Sequence, residues 1–286
     1  MVATMIATGM VTRNDVEAAA ARTRHVVRHT PLTLVEPGVF PGTVMLKLEQ
    51  LQHTGGYPVR GVFNQVIAAL ERLAFDPDAG LVAAYTPAIA AAVVHAAQRL
   101  GLPATLFLPA VPTEIPETEI PEYMTAGARL VKVDGTPADA QVEAQRHASA
   151  TGALQCAGLS ADCWAQMVAG AGTVGLELWT QTLGQLDTVV VPARARALAV
   201  GICSALAGHV RVIEAEVSPD SATAARRELW QERRIAVDDV SASAYALLLD
   251  STYRPAPEER VAVVLSSADT EHADLPSKPL SSLLSA

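Results

Sequence analysis

Apolar positions along the 286-residue chain fall into two alternating rhythms. Short runs rich in Val, Ile and Leu, bounded by Gly, Pro or Asp, read as strands: TVMLKLE (43–49), GLVAAYT (80–86), ATLFLP (104–109), RLVKVDG (129–135), DTVVVPA (187–193), VRVIEAEV (210–217) and RVAVVLSS (260–267). Between them lie longer segments whose apolar residues recur at helical spacing. The first runs from Asp15 to about His29, with Asn14 as the expected N-cap and Pro31 beyond its end. Others span Arg60 to Leu73, AIAAAVVHAAQRLG (88–101) closed by Gly101, TVGLELWTQTL (173–183) and ALAVGICSALAG (197–208). Alternation of this kind, with strands apolar on both faces, predicts an α/β fold with parallel sheets. The Pro-rich PAVPTEIPETEIPEY (109–123) reads as an exposed loop, and the Ser- and Pro-rich tail beyond Ala273 as loosely ordered.

Composition narrows the function classes. Half the residues are apolar and 18% charged, enough to bury a core in one large domain or two lobes. The formal charge is −9, the only lysines are Lys47, Lys132 and Lys278, and the arginines are scattered, so nothing offers a basic stripe to nucleic acid. Cys156, Cys163 and Cys203 show neither disulfide nor zinc spacing, which points to a reducing, cytoplasmic setting. The N-terminus has no basic region ahead of its apolar stretch, and the apolar runs break well short of the ~20 residues a membrane span needs, so neither a signal peptide nor a membrane segment is expected. His25 and His29 stand four apart on a helix, but Arg24 and Arg28 adjoin them and no third ligand is evident. No metal is expected. A nucleophile elbow and a P-loop are both absent.

Eight segments in consistent order from Ala21 to Ser267 carry a more specific signal: ARTRHVVRHTPL, KLEQLQHTGGYPVRGVFN, GLVAA, RLGLPATLFLP, GARLVKVDG, GAGTVGLEL, DTVVVP and VAVVLSS. Together they resemble the serine/threonine dehydratase group of fold-type II pyridoxal-phosphate enzymes. The resemblance implies a two-lobed, tryptophan synthase β-like architecture with parallel sheets. The smaller lobe is expected over 66–140 and the larger over 1–65 plus 141–286; a homodimer is implied as well.

The same resemblance shows what has changed. The family's T-G-S-F-K-x-R-G, whose lysine forms the Schiff base, stands here as Thr54-Gly55-Gly56-Tyr57-Pro58-Val59-Arg60-Gly61. An imine needs a primary amine on a flexible stem, and proline has none. The family's S-x-G-N-H aligns with Tyr85-Thr86-Pro87-Ala88-Ile89, so Ala88 replaces the asparagine that contacts the ring hydroxyl. Its glycine-rich phosphate cup has become Ala193-Arg194-Ala195-Arg196-Ala197, where side chains are expected to strain a left-handed backbone and fill the phosphate's space. Ser266 alone keeps the place of the pyridine-nitrogen partner, although the following G-G-N has become Ser267-Ala268-Asp269. A few dozen residues usual in the larger lobe are missing after VIEAEV, so the family's cation site is not expected.

No cofactor is therefore expected. Two functions stand against each other: an enzyme independent of pyridoxal phosphate, doing lyase, cyclase or isomerase-type chemistry in the vacated cleft, and a non-catalytic pseudoenzyme serving as scaffold or ligand sensor. Apolar replacements around the old ring favour a small-molecule ligand, partly apolar and in one reading anionic. Pro58, Ile89 and Ser266 would line its site. Arg194 and Arg196 either grip a carboxylate or phosphate, point to solvent, or plug the vacated cup by pairing with acidic neighbours. Tyr57 and Tyr85 are candidate proton donors or packed aromatics; His53 and Asp269 are reserve acid/base candidates, with a surface loop and a helix cap as their plainer readings.

Overall fold

The computed structural model describes residues 11–111 and 123–268. Helix α1 (Arg13–Thr23) leads to strands β1 (Leu32–Leu34) and β2 (Thr43–Leu48). Helix α2 (Pro58–Glu71) follows, then β3 (Leu81–Ala84), α3 (Pro87–Leu100), β4 (Ala104–Pro109) and β5 (Ala128–Val133). After α4 (Pro137–Thr151) and β6 (Leu154–Gln155) comes the long α5 (Ala161–Gln181), with β7 (Thr188–Pro192), α6 (Arg196–Leu206), β8 (Arg211–Ala215), α7 (Pro219–Arg233), α8 (Asp239–Leu249) and β9 (Arg260–Leu265) completing the order.

Two sheets result. One has the order β1-β2-β9-β7-β8, parallel except for the β1 edge, and takes strands from both ends of the chain. The other, β5-β4-β3-β6, is parallel throughout. Strand β9, the last in sequence, lies at the centre of the first sheet between β2 and β7. Its apolar run from Val261 to Leu265 is buried, as a strand covered on both faces requires. Strands of the second sheet reach Gln155, past the expected lobe end at 140.

The helical layer packs through glycines. A Cβ on Gly170 of α5 would lie 2.5 Å from the Arg60 carbonyl of α2, and one on Gly201 of α6 would lie 2.4 Å from the Val168 carbonyl of α5. The GAG run within GAGTVG thus lets α5 sit against both neighbours at backbone distance.

Two local expectations change. Thr12, not Asn14, caps α1, because its hydroxyl and Asp15 form a reciprocal capping box. The helix also stops at Thr23 rather than near His29. Among the described residues, no helix is long and apolar enough to cross a membrane.

Candidate functional site

The loop before α2 is shaped by its small residues and tied to the end of β9. Thr54 and Gly55 both have left-handed backbones, φ 62° and 74°; for a β-branched residue that conformation is strained by about 1–3 kcal/mol. Gly56 then bridges Ser267, where a Cβ would come within 3.1 Å of the Ser266 carbonyl and of the Ser267 Cβ. The Tyr57 amide donates to the Ser266 carbonyl at 3.1 Å and the Ala268 amide to the Gly55 carbonyl at 2.9 Å. Pro58 occupies the first turn of α2, where a missing N–H costs nothing, and is buried. Tyr57 packs its ring against the apolar clusters that include Ala195 and Ala197. Burial pushes its phenol up to about 12, so at neutral pH it is a proton donor and not a base.

None of the described lysines offers an amine to this loop. The Lys47 ammonium is fully buried and spends its three protons on the Thr30 carbonyl (2.7 Å), Glu177 Oε2 (2.6 Å) and Gln181 Oε1 (3.0 Å). Burial depresses its pKa, against the opposing pull of Glu177. Lys132 is exposed on β5, and Lys278 lies outside the described residues. Arg60 completes the network with all five of its N–H groups. It holds both Glu49 oxygens (2.5 and 3.0 Å), Glu177 Oε1 (2.7 Å), Thr173 Oγ1 (3.1 Å) and the Arg28 carbonyl (3.1 Å). Two cations and two carboxylates cancel, which is how four charges persist in the interior. Burial alone would depress the Arg60 guanidinium, but Glu49 and Glu177 hold it above its ordinary value. Sequence reasoning passed over this cluster, since its partners lie up to 134 residues apart.

At the former phosphate cup the expected backbone strain is absent. No residue from Ala193 to Ala197 has a positive φ, and Ala195, which precedes α6, sits at φ −91°. Replacement of the glycines is accommodated by a tight turn instead. It closes with the Ala195 amide on the Pro192 carbonyl (2.9 Å), while the Ala193 amide donates to the Ala215 carbonyl (3.0 Å). Two amides of the cup are thereby spent internally. Arg194 and Arg196 are exposed on either side of buried Ala195, and neither forms an ion pair or hydrogen bond with a described residue. They do not plug the cup by pairing with acidic neighbours.

Across the molecule, Tyr85 is buried at the end of β3 with its ring edge-on to Tyr123 at 6.3 Å. It belongs to the cluster that holds Val59 and Phe63 of α2, and half-buried Ile89 packs on the same cluster. Ala88 in the first turn of α3 carries no polar group. Among the remaining candidates, Ser266 is fully buried with its hydroxyl 3.5 Å from that of Ser267. Ser267 in turn donates to Asp238 Oδ2 at 2.6 Å, and Asp238 caps α8. Asp238 was not anticipated from the sequence; the spacing to Ser241, whose amide it accepts, is its only local signature.

His53 turns away from the strand ends. It stacks on His95, centroids 4.8 Å apart, and His95 lies about two turns into α3, roughly 12 Å beyond its start. Burial, then the Arg28 and Arg99 charges, keep both imidazoles below their ordinary values. Asp269 lies outside the described residues. His25 accepts a hydrogen bond from Arg24 at 2.8 Å, and no metal-ligand cluster occurs among the described residues.

Residues 23–218 match the family described as pyridoxal-phosphate dependent enzyme. The chain is 31% identical over 199 residues to L-threonine ammonia-lyase of Thermotoga maritima, an alignment covering 69% of this chain and 47% of that protein. It is 27% identical over 200 residues to the catabolic L-threonine dehydratase of Staphylococcus aureus, covering 69% and 55%. It thus spans about half the length of these curated relatives. Among solved structures, maize serine racemase superposes with a TM-score of 0.78 at 19% identity, covering 92% of this chain and 95% of that one. The processed form of threonine deaminase isoform 2 from Solanum lycopersicum superposes at 0.74 and 18%, covering 91% and 89%.

Proposed function

This chain belongs to the pyridoxal-phosphate dependent enzyme family and is threonine dehydratase-like within it; from that premise we propose that it has left the cofactor behind and works as a cytoplasmic, homodimeric, pyridoxal-phosphate-independent enzyme. The observation that carries the reading is Pro58. It stands where the family's Schiff-base lysine is expected, and Lys47, the nearest lysine in sequence, has every ammonium proton committed in the interior. The residues present do not suit the cofactor at two of its other anchors, Ser266 being the exception. Ala88 cannot hydrogen-bond a ring hydroxyl through its side chain, and two amides of the 193–197 turn are already taken.

The vacated cleft is read as the site of a small, partly apolar anion. Arg194 and Arg196, unpaired among the described residues, would bind its charge and half-buried Ile89 would present apolar surface, with buried Pro58, Tyr85 and Ser266 behind the wall. Tyr57 is the candidate general acid for an elimination, cyclisation or isomerisation, a role that needs a neighbouring cation to offset the rise that burial imposes on its phenol. Its ring packs against the clusters that carry the turn between the arginines, so acid and anion clamp share one wall. Tyr85 is the second donor candidate. His53 is set aside, because its ring is engaged with His95.

An absorbance spectrum of the purified protein incubated with pyridoxal phosphate tests the loss of the cofactor. No borohydride-reducible band is expected; a stoichiometric one would overturn the proposal. A thermal-shift screen of anionic metabolites then separates enzyme from scaffold, because a ligand that binds only the native state raises its melting temperature. Shifts reduced by Arg194→Ala support the site. A screen without any shift, together with capture of a stable protein partner, would favour the pseudoenzyme.

A further inference from the structure

The edge of the five-stranded sheet carries a groove that lies away from the strand-end loops described above. Leu32, Thr33 and Leu34 of β1, Met45 of β2, the end of α5 from Gln181 through Leu183 and Gln185, and Arg260 at the start of β9 enclose about 430 Å³. Two features of this groove set its chemistry. Leu34 and Leu183 stand on it with 66% and 86% of their surfaces exposed. Arg260 has no carboxylate within ion-pair distance among the described residues, and its Nε is covered from water without any acceptor. One Nη1 hydrogen meets Gln185 Oε1, which fixes the guanidinium in the groove wall.

An uncompensated guanidinium beside exposed leucines matches the two ends of one type of molecule. A carboxylate at the outer Nη2 hydrogens compensates the charge. An aliphatic tail would then cover Leu34 and Leu183, and the Thr33 hydroxyl and the Gln185 amide nitrogen set a polar rim. We propose that this groove is a second ligand site, for small carboxylates with an aliphatic chain. It does not rest on the function proposed for the cleft.

Isothermal titration with 4-methylpentanoate, its amide 4-methylpentanamide and acetate tests the site on the full chain. The acid is expected to bind saturably, with the amide and acetate each weaker by roughly tenfold or more, since each lacks one of the two interactions. Arg260→Gln should weaken the acid to the level of the amide. Leu183→Asn, on an exposed side chain that contributes little to folding, should reduce the acid's affinity to that of acetate. In an Arg194→Ala background the losses caused by Arg260→Gln and Leu183→Asn should persist, which separates this site from the cleft. Equal affinity for acid and amide, an Arg260→Gln variant that binds as well as the parent, or the disappearance of those losses in the Arg194→Ala background would each overturn the assignment. So would concentration-dependent self-association that Leu183→Asn abolishes, which would give the groove to a second copy of the chain.

Discussion

Replacing Arg194 and Arg196 by alanine is the sharpest test of the cleft as a site. Both side chains are exposed and make no ion pair with a described residue, so the fold gains nothing evident from them. Each substitution should change stability by no more than about 0.5 kcal/mol, the range for surface positions outside any network. Their contribution to an anion is different. A guanidinium–phosphate contact is charge-assisted, but at an exposed position solvent and salt screen it to about 1 kcal/mol, or roughly fivefold in affinity. Two independent contacts give roughly thirtyfold for the double variant, and the difference should shrink as salt rises. Inorganic phosphate titrated by phosphorus NMR reads the affinity, and urea unfolding of the same samples reads the stability. Unchanged phosphate affinity in the double variant would refute the clamp. A loss of more than about 2 kcal/mol of stability would instead make the arginines a structural plug, against the exposure observed.

Three further outcomes follow from the geometry. Arg60→Met leaves Glu49 and Glu177 buried against Lys47 alone and should cost about 3–5 kcal/mol in urea unfolding, whereas a loss below about 1 kcal/mol would mean the network is solvated. His53 and His95 have depressed pKa values in the folded chain, so the unfolded chain binds more protons as acidity rises. Their contribution to stability is complete above the ordinary value of 6.5 and is lost as pH falls through the folded values; a His95→Leu variant should flatten that part of the profile, and an unaltered slope would contradict it. Pro58→Lys restores an amine but neither Ala88 nor the 193–197 turn, so borohydride treatment with pyridoxal phosphate should fix less than one cofactor in ten at position 58 by mass spectrometry; stoichiometric labelling there would show that one residue accounts for the loss.

Much of the fold was legible because its signals are local. The Val-rich runs at 188–192 and 260–265 and the Gly101 cap follow from propensity and periodicity within short windows. Strand β1 was missed, being three residues long and mostly exposed, and so was the capping box at Thr12. At the candidate site the sequence located the loops but misjudged their backbone. Ala193–Ala197 was expected to strain a conformation suited to glycine, and the chain folded into a different turn. The direction of His53 was equally hidden. Its partner His95 sits in the middle of a helix that looks apolar, with nothing in the local pattern to mark a stack.

By itself the sequence determined the α/β alternation and the absence of an amine at position 58, for both are properties of residue type and short-range order. The tertiary structure decided where the charges went. Lys47 is sealed against Glu177 and Gln181, Arg60 joins Glu49 to Glu177, and Arg194 and Arg196 stay at the surface without a partner among the described residues. Such pairings depend on which distant segments the packed glycines of α5 and the central place of β9 bring together, and burial then multiplies their strength. No local pattern carries that information.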